Sequence, residues 1–421
     1  MSHKYDILVM GASGFTGQLV AQYLACQAAT QGFTWAAGGR NRQKIEQKMR
    51  EVNVEPAEIF VADSKDENAL RQAVKQVKVV ISLIGPYLLH GETLVKVCAE
   101  EGTAYCDLTG ETPFVHGNIK KYQKTALNTK TLLLHTAGMD SIPSDLGAFL
   151  AVQRLKQAGG PDTRAGDVRS SFKAQGGLSG GTLNSLLEVV EQPKEKREVA
   201  SKVYGLSPVQ GNHSGRPVVV SSHTYGGHKT WGGFFLMAPI NTPIVHRSWG
   251  LLETADPATR PLSYGPNFNY DEMTPLPGPI SSFFASAVML LGFGAIAMFS
   301  PVRWLLRRFG PQSGEGPSKE ERENGWYEVT TVAKSDDGKY ESRIVQKGKG
   351  DPGYLATSML ISNCAICIIK DWDRLPAIAR DGGFLTPAVA LGNVLVERLE
   401  KTGRFTFSSE AQAVDDGKKT Q

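Results

Sequence analysis

Three glycines, Gly11, Gly14 and Gly17, stand between a β-type run and a helical one, and no other stretch restricts the fold of this chain as strongly. The run before them, Tyr5 to Met10, reads YDILVM and is consistent with a short strand buried on both faces. After them, Leu19, Val20, Tyr23 and Leu24 recur at helical spacing. A glycine turn from a buried strand into a helix is the setting in which a sheet-and-helix domain holds a dinucleotide. Gly11 allows the tight turn, Gly14 lets a phosphate approach the backbone, and Gly17 lets the helix pack close to the sheet. Free N–H groups and a partial positive charge at the helix start suit a pyrophosphate. Ser13, Phe15 and Thr16 complete this candidate cofactor turn. Its spacing is GxxGxxG rather than GxGxxG, a variant common in extended short-chain-type domains.

Later segments follow in the order such a domain requires. FTWAAGGRN, residues 33–41, reads as the second strand. In NAD enzymes an acidic residue closes this strand and binds the ribose 2′-hydroxyl. Here the position holds Arg40 and Asn41, with Arg42 and Lys44 behind them and no carboxylate. A guanidinium meets a phosphate with two parallel hydrogen bonds, so the sequence favours NADP. EIFVAD ends in Asp63, placed to meet the adenine edge, and VKVVISLIGPY ends a fourth strand in Gly85, Pro86 and Tyr87. The Gly-Pro pair is expected along the ribose and nicotinamide. Two more strand-and-loop units follow, which argues an α/β fold with a Rossmann-type doubly wound parallel sheet over residues 1–150.

With 421 residues there is room for roughly two or three domains. An apolar share of 41% against 21% charged is that of a globular protein. A net charge of only +4 with no basic run argues against a nucleic-acid partner. Five scattered cysteines give no disulfide framework, and the apolar start, interrupted by Asp6, does not read as a signal peptide.

Residues 85–111 (GPYLLHGETLVKVCAEEGTAYCDLTGE), 136–150 (TAGMDSIPSDLGAFL), 176–185 (GGLSGGTLNS) and 381–399 (DGGFLTPAVALGNVLVERL) together resemble the saccharopine dehydrogenase-like oxidoreductases. The last two stretches resemble the branch that holds the animal saccharopine dehydrogenase-like oxidoreductase and the microbial trans-acting enoyl reductases. This likeness spans nearly the whole chain. It implies that the loop at residues 137–143 approaches the nicotinamide, which would bring Asp140 and Ser141 to the hydride face. Saccharopine carries three carboxylates, and the matching loops hold no arginine cluster to receive them, so lysine metabolism is not carried over. The candidate proton donors are Tyr87, Asp140, Ser141 and Thr182.

In the second half, residues 167–177 read as a strand, and a helix is entered through Gly180 and Gly181. Ser179 or Thr182 could bind a substrate carbonyl there, or Thr182 could cap the helix. Two alternating strands flank Asp336, Asp337 and Gly338 as a hairpin. These features predict an α+β substrate domain over 151–350, built on an antiparallel sheet and open to pairing in a homodimer. The resemblance implies that helices in 351–421 return to the nucleotide domain ahead of a polar tail. Cys364 and Cys367 lie in an apolar helical run and read as core, and His223 and His228 lack an acidic third ligand, so no metal is expected.

Residues 281–300 (SSFFASAVMLLGFGAIAMFS) carry no charge and approach the ~20 residues that span a bilayer. Arg303, Trp304, Arg307 and Arg308 follow, an edge suited to anionic lipid. A true span would separate the C-terminal helices from the nucleotide domain they are expected to touch. A monotopic insertion avoids this, with Gly292 and Gly294 offering a bend. The resemblance to animal relatives points to a lipid droplet, or to the endoplasmic reticulum, on the cytosolic side; without attachment the chain would be cytoplasmic. The reading as a whole is an NADP-dependent reductase acting on a carbonyl or enoyl group of an apolar or lipid-like substrate. Its rivals are a non-catalytic NADP-binding sensor or scaffold at a membrane, and saccharopine dehydrogenase proper.

Overall fold

The computed structural model of the chain describes residues 3–176, 180–193, 195, 202–212, 215, 217–256, 259–310 and 316–414. In chain order its strands are β1 (Tyr5–Met10), β2 (Trp35–Gly39), β3 (Ile59–Val61), β4 (Val77–Ser82), β5 (Ala104–Asp107) and β6 (Leu132–Leu134). Then come β7 (Ala165–Gln175), β8 (Ser221–Tyr225), β9 (His228–Gly233), β10 (Asn269–Leu276), β11 (Trp326–Ser335) and β12 (Tyr340–Lys349). The last two are β13 (Gly383–Leu385) and β14 (Phe405–Ala413).

The first sheet is parallel and ordered β13-β6-β5-β4-β1-β2-β3, with helices between its strands. Its strand order reverses beside β1, which pairs with both β2 and β4. That reversal opens a crevice at the carboxyl ends of the strands, where open α/β sheets take their ligands. The expected doubly wound fold is therefore present. Ile7, Leu8, Val9 and Met10 are all fully buried, as a strand covered by helices on both sides requires. Each such side chain contributes roughly 1.5–3 kcal/mol of apolar burial.

The second sheet is ordered β14-β12-β11-β7-β10-β9-β8. It contains the antiparallel pairing expected from the hairpin and adds one parallel pair, because β10 runs parallel to β7. The chain between those strands is long enough for a crossover, which a tight turn cannot provide. The hairpin itself pairs Lys334 with Glu341, and Gly338 takes φ +74° at its turn. There Asp337 Oδ1 accepts from Ser335 Oγ at 2.7 Å and from Lys339 N at 3.1 Å.

Residue 150, the expected domain boundary, lies inside the helix Ile142–Gly159. That helix leaves the loop after β6 and packs on the second sheet. Gly147 admits it closely, since a Cβ there would come within 2.7 Å of Gln346 Nε2 on β12. Gln346 Nε2 also donates to the Pro143 carbonyl at 2.7 Å. The C-terminal portion is likewise shared. The helix Thr357–Lys370 packs against the helix Phe15–Gln31, β4 and β5, β13 extends the first sheet beside β6, and β14 edges the second. Cys364 and Cys367 are fully buried in the helix Thr357–Lys370, and burial pushes the Cys367 thiol up to about 12.

Candidate functional site

The cleft is built at the carboxyl ends of β1 to β6. At the end of β1, Gly11 adopts φ +87°, and a Cβ there would lie 2.8 Å from the Leu83 carbonyl oxygen, so this corner needs glycine. A Cβ at Gly17 would strike the Gly11 carbonyl oxygen, which lets the helix Phe15–Gln31 start hard against the turn. Gly14 is exposed, extended (φ −74°, ψ 168°) and stands at the N-cap without a side-chain cap. The first N–H groups of that helix, at Phe15, Thr16 and Gly17, thus face the cleft mouth without capping oxygens, a setting that fits an anionic pyrophosphate. Ser13 and Thr16 are partly exposed beside them.

At the end of β2, Arg40 is exposed and makes no hydrogen bond or ion pair among the described residues. Its neighbours are engaged. Asn41 Oδ1 accepts from Lys44 N at 3.0 Å and caps the helix Arg42–Glu51. Arg42 donates to the Ile59 carbonyl at 2.6 Å and lies 3.8 Å from Glu46 and Glu58. Of the basic residues there, Arg40 is the guanidinium left over for a phosphate. Asp63, just beyond β3, is partly exposed and accepts from Lys65 N at 2.9 Å.

Beyond β4, Gly85 is exposed and Pro86 half-buried. Glu111 steadies this turn from below: its carboxylate accepts from Tyr87 N at 2.9 Å and Leu88 N at 2.7 Å, and burial raises its pKa. Tyr87 does not present its hydroxyl to the cleft. The ring is buried, and the hydroxyl donates to the Ser82 carbonyl at 3.0 Å and accepts from Leu108 N at 3.3 Å. Its pKa is raised well above the usual value by burial, with Asp107 adding to it. Asp107 locks the ends of β5 and β6 together. It binds His135 Nδ1 at 2.6 Å and Tyr105 Oη at 2.9 Å, and its Oδ1 accepts from Thr109 N and Thr136 N at 3.1 Å.

On that fixed base sits the loop after β6. Ser141 is fully buried and donates to Asn241 Oδ1 at 3.2 Å, and Asn241 Nδ2 donates to Glu272 Oε2 at 3.0 Å. Its hydroxyl therefore ties the loop to the second sheet and is unavailable to a substrate. Asp140 is different. Its side chain is exposed and stands near Gly110 and Ile240, with no hydrogen-bond or ion-pair partner among the described residues. Protein packed around it disfavours the charged form and pushes its pKa up to about 6. Of the four candidate donors, Asp140 alone combines access with a proton affinity near neutrality.

The second domain closes the cleft from the other side. Thr182 is exposed, with Oγ1 2.9 Å from Tyr354 Oη, and the Tyr354 ring meets Phe15 edge-on at 5.3 Å. Arg322 lies over the Phe15 ring, 5.3 Å from its centroid. Ser185 approaches Gly85, 3.7 Å from where a Cβ would stand. Ser179 lies outside the described residues. Tyr354, Asn241 and Glu272 are site-forming residues that no local pattern marked, whereas Glu111 stands at the polar end of a strand-and-loop unit, the one local signal among these residues. A separate cavity of about 610 Å³, lined by Tyr23, Asn363, Arg374 and Arg398 among others, lies on another side of the helix Phe15–Gln31 and takes no part in this cleft.

Residues 7–134 match the model of the saccharopine dehydrogenase NADP binding domain. A Mycobacterium tuberculosis protein that bears the name "putative trans-acting enoyl reductase" is 35% identical over 422 residues, covering 95% of this chain and 96% of its own. The trans-acting enoyl reductase of Mycobacterium bovis is 30% identical with the same coverage. Among solved structures, saccharopine dehydrogenase (L-Glu forming) from Saccharomyces cerevisiae covers 97% of this chain and 100% of its own at 14% identity, with a TM-score of 0.49.

Proposed function

The chain belongs to the saccharopine dehydrogenase-like family, in the branch of the trans-acting enoyl reductases, and on that premise we propose that it reduces an enoyl or carbonyl group of an apolar, lipid-like substrate. It is an NADP-binding oxidoreductase. Bound NADPH supplies the hydride. In this reading the glycine turn and the N–H groups of Phe15, Thr16 and Gly17 hold the pyrophosphate. Arg40, with Asn41 beside it, receives the 2′-phosphate, Asp63 meets the adenosine, and Gly85 and Pro86 border the nicotinamide. Thr182 positions the substrate carbonyl.

The observation that carries the reading is Asp140. Reduction of a polarised double bond or a carbonyl needs a proton as well as a hydride. With a pKa of about 6, Asp140 is roughly one-tenth protonated at pH 7 and holds its proton within the cleft. The test is the pH profile of NADPH-dependent reduction of a long-chain 2-enoyl thioester. Wild-type kcat should fall as pH rises through about 6, and Asp140→Asn should lower kcat by roughly 10²-fold or more while NADPH affinity is kept. Full activity in that variant, with the fall in kcat above pH 6 unchanged, would remove Asp140 from the chemistry.

The apolar segment supports monotopic attachment. The helix Pro279–Met298 is long and strongly apolar, and most of it is unburied, with Phe284, Val288 and Leu291 exposed. Its first turns are fixed to the protein: Ser282 and Ser286 are buried, and Ser286 Oγ accepts from Phe234 N at 2.7 Å. Some 12 residues remain beyond Ser286, roughly 18 Å of helix, short of a ~30 Å hydrocarbon layer. Moreover, β10 before the segment and β11 after it both pair with β7, which favours a single compartment for the two flanks. The helix runs unbroken through Gly292 and Gly294. The turn falls instead at Phe299, ahead of Pro301 in the helix Ser300–Phe309. A helical glycine costs only about 1 kcal/mol, whereas proline suits the first turn of a new helix. We assign the attachment to the cytosolic face of the endoplasmic reticulum or a lipid droplet.

A further inference from the structure

Two of the three arginines that follow the apolar helix, Arg303 and Arg307, are paired with acids of this chain. Arg303 Nε lies 3.2 Å from Glu191 Oε1, and its guanidinium folds back on the carbonyls of Ile296 and Ala297 at 2.9 and 3.2 Å. Arg307 clasps Glu191 with two bonds of 2.9 and 2.8 Å and stands 3.7 Å from Glu188. Both acids belong to the helix Gly180–Glu191, whose opposite end supplies Thr182 and Ser185 to the cleft. Leu183 of that helix also packs on Gly310, where a Cβ would come within 2.5 Å of its methyl group. One helix therefore joins the membrane-facing segment to the nicotinamide end of the site.

We propose that this joint is a latch released by anionic lipid. It rests on the monotopic reading above. Headgroup phosphates would take Arg303 and Arg307 from Glu188 and Glu191, loosen the helix Gly180–Glu191 and open the cleft when the enzyme reaches its substrate-bearing surface. A phosphate and a carboxylate compete for the same guanidinium fork. The Arg307 and Glu191 side chains are 43% and 33% exposed, so the clasp lies within reach of a competitor and is of the weakly held surface kind. Trp304 and Phe309, 62% and 76% exposed, flank the arginines with apolar surface that a bilayer would take and a dissolved anion would not.

Hydrogen exchange of the segment 180–191 tests the latch, with flotation run in parallel. The full chain is bound to phosphatidylcholine vesicles with or without phosphatidylglycerol. The apolar helix should float the protein on both. Exchange should rise by roughly two- to fivefold on the anionic vesicles, the factor that losing an exposed ion pair yields. Glu191→Gln should show the faster exchange on either surface and no further rise with phosphatidylglycerol. Arg307→Gln provides the same test should Glu191→Gln fail to fold by circular dichroism. Inorganic phosphate at matched concentration should leave exchange unchanged; acceleration by it would overturn lipid as the ligand. Flotation on both vesicles with identical exchange overturns the latch and leaves attachment standing. Failure to float on either overturns attachment and the latch together.

Discussion

Replacing Arg40 with Asp should turn the protein away from NADPH without disturbing its fold. Arg40 is exposed at the end of β2 and has no intramolecular partner among the described residues, whereas Arg42 holds the Ile59 carbonyl and Asn41 caps a helix. The substitution therefore removes no folding contact. Losing a charged donor to a phosphate costs about 1.5 kcal/mol at an exposed site, the low end of the range for charged hydrogen bonds. A carboxylate roughly 6 Å from a doubly charged phosphate adds about 1 kcal/mol of repulsion in water. Together these predict a loss of roughly 2–3 kcal/mol, or about 30- to 150-fold in Kd. Nicotinamide fluorescence titration with NADPH and NADH in parallel reads both affinities, and the NADPH loss should shrink as salt is added. NADH binding should change little. An equal loss for both nucleotides, or a wild-type preference for NADH, would refute the assignment of Arg40 to the 2′-phosphate.

Further outcomes follow from the same structure. Gly17→Ala should lower stability by roughly 1–3 kcal/mol in denaturant unfolding, because its Cβ meets the Gly11 carbonyl and backbone must shift. Burial lifts Glu272 to about 7 and Asp145 to about 6, so the folded state keeps these protons longer than the unfolded chain. Stability should be full below the usual carboxylate range and fall as pH rises through 6 and 7; Glu272→Gln should remove roughly 2–3 kcal/mol of that slope in melts between pH 5 and 8. Phe284→Glu together with Leu291→Glu should release the protein from vesicles with its melting temperature unchanged, since both side chains are exposed; retention on the vesicles would relocate the attachment surface.

The parts of the fold that sequence made legible are those specified by neighbours in the chain. The strand–turn–helix at Gly11, the run of parallel strands and the hairpin at Gly338 each rest on local periodicity and a backbone position that needs glycine. The parallel pairing of β10 with β7 was not legible, since about a hundred residues separate the partners and no turn chemistry announces a crossover. The candidate donors show the same divide. Tyr87, Asp140 and Ser141 look alike as polar residues at strand ends. What separates them is who meets each side chain: Ser82 and Leu108 for Tyr87, Asn241 for Ser141, and no partner among the described residues for Asp140. Arg303 and Arg307 likewise read as lipid-facing charges until Glu188 and Glu191, more than a hundred residues away, turn them inward.

Transfer of deuterium from the C4 position of labelled NADPH, followed by mass spectrometry of the product, shows whether this protein passes a hydride to an acyl substrate. With a long-chain 2-enoyl thioester presented on phosphatidylglycerol-containing vesicles, a saturated product carrying one deuterium from the nucleotide should form, faster at pH 6 than at pH 8. NADPH that binds tightly yet passes no label to any enoyl or carbonyl compound across an acyl-chain series would contradict the proposed reduction.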